Sequence, residues 1–346
     1  MSVYTPVTRQ QLERFFSTYS LGKVIDFEGI KDGIENTNYF VTTTRGRFVL
    51  TLFESLTAKD LPSFMALMTY LDKNAIPCPR PLSGLQTNPL RVLNGKPAAL
   101  FKRLTGSAVD SPSIAHCRQI GLHLAGLHRS TQDYVFPVNN HRGLDWCQRV
   151  FAEIGPSLCP ADRALIGDEL RVQRQYRTDR LPRGVIHADL FTDNVLFADG
   201  QLSGLLDFYS ACTDTLLLDI AITANDWCCD SGTVNPEKFM ALLSAYESLR
   251  PLDALEKQRW PLMLRVAALR FWLSRLLHRL QPRPGEITQQ KDPLVFKHIL
   301  EQHRRQTPAI PPRPAAGPSC SRSGAGNRRR TDSGDSEYGT DCTASS

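Results

Sequence analysis

The 346-residue sequence lacks the short motifs of several common enzyme classes. It has no G-x-x-x-x-G-K-[ST] string, which excludes a P-loop, and no G-x-G-x-x-G following a strand, as a dinucleotide-binding fold requires. HExxH and GxSxG are absent as well, so neither a zinc peptidase nor a serine hydrolase of the usual kinds is supported. Any nucleotide chemistry in this chain must use a different framework.

Cysteine pairs and long apolar runs are also missing. The nine cysteines are odd in number and scattered without a CxxC pair, so we expect reduced thiols and no zinc or redox site. The N-terminus has no apolar stretch after a basic start, and no run reaches the length of a membrane helix. These absences predict a cytoplasmic protein that does not contact a membrane.

The charge balance offers little to a nucleic acid. The 41 Lys and Arg against 35 Asp and Glu give +6, a mild surplus that suits any anionic ligand, including a nucleotide. The folded part has no basic groove with interleaved aromatics, and the basic run at residues 328–330 lies in a segment rich in Pro, Ser and Gly. Nucleic-acid binding is therefore a weak hypothesis, and we expect the tail over residues 307–346 to be disordered.

The residues that are present divide the chain into a β-rich part and a helical part. Hydrophobic periodicity, β-forming residues and the Asn94-Gly95 turn predict a small antiparallel sheet up to Gly106. Its predicted elements are a helix over 8–19, strands over 23–29, 37–44 and 47–53, a helix over 57–74, and hairpin strands over 90–93 and 98–104. We predict an N-terminal nucleotide-binding lobe over residues 1–104.

A helical catalytic and substrate-binding lobe is predicted over residues 105–306. Short strands interrupt it, near Val185 and over residues 194–197 and 201–208. The predicted helices cover residues 113–129, 144–154 and 161–176, with more to about residue 303, including an apolar stretch with a basic edge over 260–280.

One loop carries a pattern suited to phosphoryl transfer. His187-x-Asp189-x-x-x-x-Asn194 lies between two apolar, strand-like flanks, which would hold its polar side chains in fixed positions. Phosphoryl transfer needs a carboxylate for the acceptor hydroxyl and oxygen ligands for magnesium. Asp189 suits the first role, and the amide oxygen of Asn194 suits the second.

A second carboxylate is predicted to return to this loop. The strand over residues 201–208 ends near Asp207, and the Asp199-Gly200 turn folds it back beside the previous strand. Asp207 and Asn194, with nucleotide phosphates completing the shell, would form a site for Mg²⁺. In the alternative interpretation His187 and Asp189 are an ordinary loop pair. The pattern favours an ATP-dependent kinase for a small molecule.

These residues resemble the aminoglycoside phosphotransferase and choline kinase superfamily, over about residues 27–272. Residues 122–129 look like its helix before the catalytic loop, and Asp219-Ile220-Ala221 looks like its Asp-Leu-Ala helix start. The resemblance implies an α+β, two-lobed, protein-kinase-like fold with a small antiparallel β-rich N-lobe and a mainly helical C-lobe. It gives Asp189 the role of base, and Asn194 and Asp207 the role of magnesium ligands, as the residues themselves suggest.

Within that superfamily, residues 36–41, 46–54 and 187–194 look most like the bacterial homoserine kinases. This implies that ATP and L-homoserine are converted to O-phospho-L-homoserine, a step of threonine biosynthesis. The alternatives are a kinase for another small alcohol, such as an aminoglycoside or choline, and a catalytically silent nucleotide-binding regulator.

The resemblance also implies where ATP would bind. Residues 31–36, with Lys31 and Asn36, would lie above the phosphates, and Phe101 and Lys102 would lie at the hinge beside the adenine. Many members of the superfamily carry a phosphate-binding Lys or Arg on the third strand, where this chain has Thr51. A cation from elsewhere must then contact the phosphates, and Lys31 is a candidate.

The acceptor would need partners for an ammonium, a carboxylate and a hydroxyl in one pocket. Tyr209, Asp226 and Trp227 are candidates because they follow Asp207 or lie on the next helix. The carboxylate could be met from the C-terminal helices, by Arg265, Arg270 or Arg275. Each of these residues is more often structural, since an amphipathic helix turns one face inward and a Trp is commonly buried.

Overall fold

The N-terminal third of the chain folds into a five-stranded antiparallel sheet with the order β1-β2-β3-β5-β4. A computed structural model describes residues 4–30, 36–84, 88–175, 180–230, 232–281 and 291–306, together with 308 and 310. Lys31 and nearly all of the tail from residue 307 lie outside the described residues. The bounds in this part are α1 Arg9–Phe16, β1 Val24–Gly29, β2 Asn36–Thr43, β3 Gly46–Phe53, α2 Leu61–Lys73, β4 Arg91–Leu93 and β5 Lys96–Lys102.

Local sequence signals explain where these elements begin and turn. Thr8 caps α1, because its hydroxyl accepts from the Gln11 N–H while the Gln11 side chain accepts from the Thr8 N–H. The hairpin β4–β5 turns at Asn94 and Gly95, which both have positive φ. The predicted helix over 57–74 starts only at Leu61, since Thr57 donates its hydroxyl to Asp60 and closes a turn first.

The following part of the chain is mainly helical, and its described residues contain three short strand pairs. β6 pairs with β9, β7 with β8 and β10 with β11, all antiparallel. The bounds are α3 Ile114–Ser130, α4 Leu144–Ile154, α5 Pro160–Gln175, β6 Arg183–Ile186, β7 Val195–Ala198, β8 Gln201–Leu205, β9 Cys212–Thr215, α6 Leu216–Trp227, β10 Cys229–Asp230, β11 Thr233–Val234, α7 Pro236–Leu249, α8 Ala254–Leu280 and α9 Pro293–Arg305.

The two faces of the five-stranded sheet bury different cores. One face packs Phe48, Leu50 and Leu52 against Phe16 and other apolar residues of α1. The opposite face, with Phe53, packs on α2 and continues into the core of the helical part. We call this opposite face the cleft face, because it faces the part of the chain that carries the catalytic loop.

The predicted α+β, two-lobed architecture is confirmed, with one correction near the site. The strand predicted over residues 201–208 ends at Leu205. It ends there because Asp207 takes a left-handed backbone conformation, with φ 57° and ψ 59°, that no strand continues. Within the residues that the structure describes, no helix is long and apolar enough to cross a membrane.

Candidate active site

The loop over residues 187–194, here called the catalytic loop, connects β6 to β7. Its backbone is held from beneath by one carboxylate at the start of α6. Asp219 is fully buried and accepts the N–H of His187 at 2.7 Å and that of Ala188 at 2.8 Å. Ala188 has a positive φ of 64°, so this pair of bonds fixes a conformation that an alanine rarely adopts.

A buried histidine supports Asp219 in turn. The Nε2 of His128 on α3 lies 3.1 Å from Oδ2 of Asp219, the oxygen that accepts the His187 N–H, and its Nδ1 lies 2.7 Å from the hydroxyl of Tyr246. Burial alone would raise the pKa of Asp219, but the hydrogen bond and charge of His128, with the His187 N–H, lower it below its ordinary value. Asp219 therefore stays a carboxylate inside the core and can hold two backbone donors.

His187 ties the catalytic loop to the segment that carries Asp207. Its Nε2–H donates to the carbonyl of Leu206 at 2.7 Å, and its Nδ1 accepts the Asp189 N–H at 3.3 Å. Burial is the main cause that lowers the pKa of His187. The ring is therefore neutral, and its two bonds fix which nitrogen carries the proton.

Asn194 and Asp207 are brought together by backbone bonds. The N–H of Leu206 donates to the carbonyl of Asn194 at 2.8 Å, which places Asp207 beside the end of the catalytic loop. The Nδ2 of Asn194 donates to the carbonyl of Asp189 at 2.9 Å, so its Oδ1 is left to accept or to ligate. Asp207 holds a strained left-handed conformation, as residues at ligand sites often do.

The donor set fits a magnesium ion that is shared with a nucleotide. Mg²⁺ is usually held by one or two protein oxygens, with phosphates and water filling the shell. One carboxylate and one amide oxygen match that requirement. Over the described ranges no group of three or more His, Cys, Asp or Glu side chains could hold a metal ion.

Asp189 is partly exposed at the front of the catalytic loop. Its pKa is raised above the ordinary value, mainly by desolvation, while Arg270, His187 and Arg142 oppose that rise. A carboxylate with a raised pKa holds a proton more strongly once it has received it. The position and the chemistry both suit acceptance of a hydroxyl proton.

Two of the residues predicted to bind the nucleotide, Asn36 and Phe101, lie on strands of the sheet, and Phe101 belongs to its cleft face. Asn36 begins β2 and its Oδ1 accepts the N–H of Glu54 at 3.4 Å, whereas Phe101 is buried on β5 opposite Val49. Lys102 follows and is exposed. Thr51 donates its hydroxyl to Asn38 at 2.7 Å, so the position of the usual phosphate-binding Lys carries a neutral pair.

The three predicted substrate residues occupy different surroundings. Tyr209 packs edge-on against Phe53 of the sheet, with ring centroids 5.1 Å apart. Asp226 is half-buried and accepts the N–H of Thr192 in the catalytic loop at 2.8 Å. Trp227 is fully buried and donates its indole N–H to the carbonyl of Leu190 at 3.0 Å, so it can act on a ligand only through the loop.

Sequence reasoning did not assign the supporting roles of Asp219 and His128. Both residues belong to segments that resemble the superfamily's motifs, and that resemblance was the signal available. The reason for each motif becomes visible only in the fold, since His128 lies 91 residues from Asp219 along the chain. A buried polar side chain within an apolar helix is the pattern that could have drawn attention to them.

The fold and this arrangement of side chains define a phosphotransferase of the protein-kinase-like class. A model of the APH phosphotransferase enzyme family matches residues 26–252. Among curated proteins, a homoserine kinase of Methylobacillus flagellatus is 46% identical over 302 residues, covering 87% of this chain and 95% of its own. A homoserine kinase of Burkholderia ambifaria is 42% identical over 325 residues, covering 90% and 98%.

Solved structures agree on the fold. The amicoumacin kinase hAmiN, described in complex with AMP-PNP, Ca²⁺ and Ami, superposes with a TM-score of 0.65 at 16% identity, covering 89% of this chain and 96% of its own. The chain belongs to the phosphotransferase enzyme family and, within it, to the family of the homoserine kinases. The predictions of an ATP-dependent phosphotransferase and of this resemblance are confirmed.

Proposed function

We propose that this enzyme transfers the γ-phosphoryl group of ATP to the hydroxyl of L-homoserine, which gives O-phospho-L-homoserine and ADP. The observation that carries the proposal is the agreement of two features. Relatives that are 40% to 46% identical over nearly their whole length are homoserine kinases, and Asp189, Asn194 and Asp207 stand together in this chain. The product would serve threonine biosynthesis.

In the proposed reaction Asp189 accepts the proton of the homoserine hydroxyl. As that proton moves to the carboxylate, the hydroxyl oxygen forms a bond to the γ-phosphorus and the bond to the bridging oxygen of ADP breaks. The carbonyl of Asp189 accepts from Asn194, and the His187 ring accepts the Asp189 N–H. These bonds fix the base before the substrate arrives, which lowers the cost of orienting it.

Asn194 and Asp207 would hold Mg²⁺ in this proposal. The ion would neutralise the charge that develops on the phosphate oxygens. The residues themselves supply rigidity, since Asn194 belongs to the catalytic loop and Asp207 is tied to that loop through the backbone of Leu206.

The nucleotide would lie between the catalytic loop and the cleft face. We propose that Asn36 and Lys31 contact the phosphates and that Phe101 and Lys102 border the adenine. Support comes from the position of Asn36 at the start of β2 and of Phe101 on the cleft face. Thr51 is neutral and supplies no charge to the phosphates, and its hydroxyl proton is donated to Asn38.

For the acceptor, we propose that Asp226 meets the ammonium and that Tyr209 borders the pocket. Asp226 is close to the catalytic loop, and burial is the main cause that raises its pKa, to about 6. Trp227 would contribute by holding Leu190. The cysteines among the described residues form no disulfide, which supports a cytoplasmic setting.

A screen for ADP release tests the proposal. Purified protein with ATP and magnesium is offered L-homoserine, choline, kanamycin and L-serine at equal concentrations. We expect turnover of L-homoserine well above the others. Turnover of choline or kanamycin without turnover of homoserine would overturn the assignment, and no release of ADP with any acceptor would point to the catalytically silent regulator.

A further inference from the structure

Three of the five arginines of helix α8 lie five residues apart, and they differ in how they are neutralised. Arg265 forms a two-pronged pair with the buried Glu169, from Nε to Oε2 at 3.0 Å and from Nη2 to Oε1 at 2.6 Å. Arg275 donates from Nη1 to the carbonyl of Asp292 at 2.8 Å. Both guanidinium groups are satisfied within the protein.

Arg270 is buried but not satisfied. It is only 3% exposed, and neither its Nε nor its Nη1 has a hydrogen-bond acceptor among the residues described. An unpaired buried guanidinium is strongly unfavourable, so such a residue is rarely kept for stability. The two thiols within electrostatic range, those of Cys147 and Cys212, cannot offset the charge, because burial raises the pKa of each to about 12.

The position of Arg270 points to the reacting end of the acceptor. Its neighbour Phe271 packs on Phe191 of the catalytic loop, with ring centroids 4.6 Å apart. The other charged groups that influence it are Asp189 and Arg142. Asp189 and Arg270 form no ion pair in the described structure, so opposite charges lie near one another without direct contact. A small zwitterion can place its hydroxyl at Asp189 and its carboxylate at Arg270.

We propose that Arg270 binds the α-carboxylate of the acceptor and thereby selects amino-acid alcohols over amino alcohols. This inference rests on the proposed function, since it takes the acceptor to be L-homoserine or a similar hydroxy amino acid. A planar guanidinium recognises a carboxylate with more than one N–H and stays charged when buried, which a lysine does less well. The carboxylate of the substrate would then form the direct ion pair that Arg270 lacks among the described residues.

The test compares two acceptors that differ only in the carboxylate, L-homoserine and 3-amino-1-propanol. Wild type, Arg270→Met, Arg270→Lys and the control Arg265→Met are assayed for ADP release. We expect Arg270→Met to raise the KM for L-homoserine about 100-fold, as the loss of one partner of a buried charge pair would do. The kcat/KM for L-homoserine divided by that for 3-amino-1-propanol should fall about 100-fold, because any influence of Arg270 on Asp189 acts on both acceptors alike. Arg270→Lys should lie between wild type and Arg270→Met.

Thermal unfolding separates binding from folding. Arg270→Met should unfold at the same temperature as wild type or higher, because it removes an unpaired buried charge. L-Homoserine should raise the melting temperature of wild type and of Arg265→Met, but not that of Arg270→Met. Arg265→Met should itself melt lower, since it leaves Glu169 without its closest partner, while its KM for L-homoserine stays within about twofold.

Two results would overturn the inference. An equal loss on both acceptors would mean that Arg270 acts on Asp189 or on the phosphates, and an unchanged KM for L-homoserine would mean that it binds no carboxylate. Failure of the proposed function looks different, because wild type itself would then release no ADP with L-homoserine.

Discussion

The catalytic loop and the cleft face of the sheet are built in opposite ways. The loop is surrounded by buried charged and polar side chains, with Asp219 and His128 beneath it and His187 within it. The cleft face carries the neutral side chains of Asn38 and Thr51, which bond to each other. Charge that fixes geometry is concentrated on one side of the site.

This difference separates two tasks. The transferred group must meet its base and its metal ligands in one narrow arrangement, and buried hydrogen bonds supply that rigidity. A nucleotide can be held by a sheet surface and by backbone groups, which tolerate more variation in side chains. The departure at Thr51 therefore falls on the side of the site where a substitution is easier to accommodate.

The largest effect should come from the base. Asp189→Asn should lower kcat by about 10²- to 10⁴-fold, because the amide cannot accept the hydroxyl proton. ATP binding should change little, since the loop contacts of position 189 shown here are made by its backbone. Steady-state kinetics measure the loss of kcat, and nucleotide titration measures ATP binding. Full activity of the variant would mean that Asp189 is not the base.

The next largest effect should come from Asp219, which supports the catalytic loop from beneath. Asp219→Asn should lower the free energy of unfolding by about 3 kcal/mol, since an amide cannot accept from two backbone donors and a histidine as a carboxylate does. Urea denaturation measures it. Asp168→Asn is the matched control, because Asp168 pairs with Arg171 on the surface and should cost under about 1 kcal/mol. Equal losses would mean that the loop is not held from beneath.

A third prediction concerns how stability depends on pH, through the buried His303 in the core next to Asp226. His303 bonds to Asn225 through Nε2 at 2.8 Å, and burial lowers its pKa to about 4 from an ordinary 6.5. Because folding lowers the pKa of His303, its neutral ring contributes fully to the free energy of unfolding above about pH 6.5. That contribution is lost as pH falls towards 4, by about 3 kcal/mol. Urea denaturation at both pH values should show that wild type loses about 3 kcal/mol more unfolding free energy than His303→Gln. Equal losses in the two proteins would contradict the prediction.

The smallest effect should come from the cleft face. Thr51→Val should cost about 1 kcal/mol of unfolding free energy, because it removes the donor to Asn38. The KM for ATP should change by less than about threefold, since Thr51 contributes no charge. A large rise in that KM, with Asn38→Ala showing no such rise, would show that the Thr51 hydroxyl contacts the phosphates directly.

Much of this architecture was predictable from local patterns. The hairpin at Asn94-Gly95, the helix capped by Thr8 and the strands flanking residues 187–194 all follow from short-range propensities, and the structure has them. The strand end at Leu205 was missed, because the left-handed turn at Asp207 is set by the bonds of Leu206 to Asn194 and His187. Tertiary contacts overrode a continuous apolar pattern there.

The candidate site was predictable only where its residues are close in sequence. Asp189 and Asn194 share one loop, and Asp207 follows one hairpin later. The pairing state of Arg265, Arg270 and Arg275 could not be predicted, since three similar side chains on one helix differ only in what other elements bring to them. The boundary between lobes near Gly106 stays a prediction.

The carboxylate of Asp219 also determines when the enzyme becomes active as it folds. The bonds that shape the catalytic loop join residues 31 and 32 positions apart, and the histidine behind them lies 91 positions away. Contacts across such separations form late, after local helices and hairpins. A chain with most of its secondary structure in place, but with α6 not yet docked, has the complete motif and no active site.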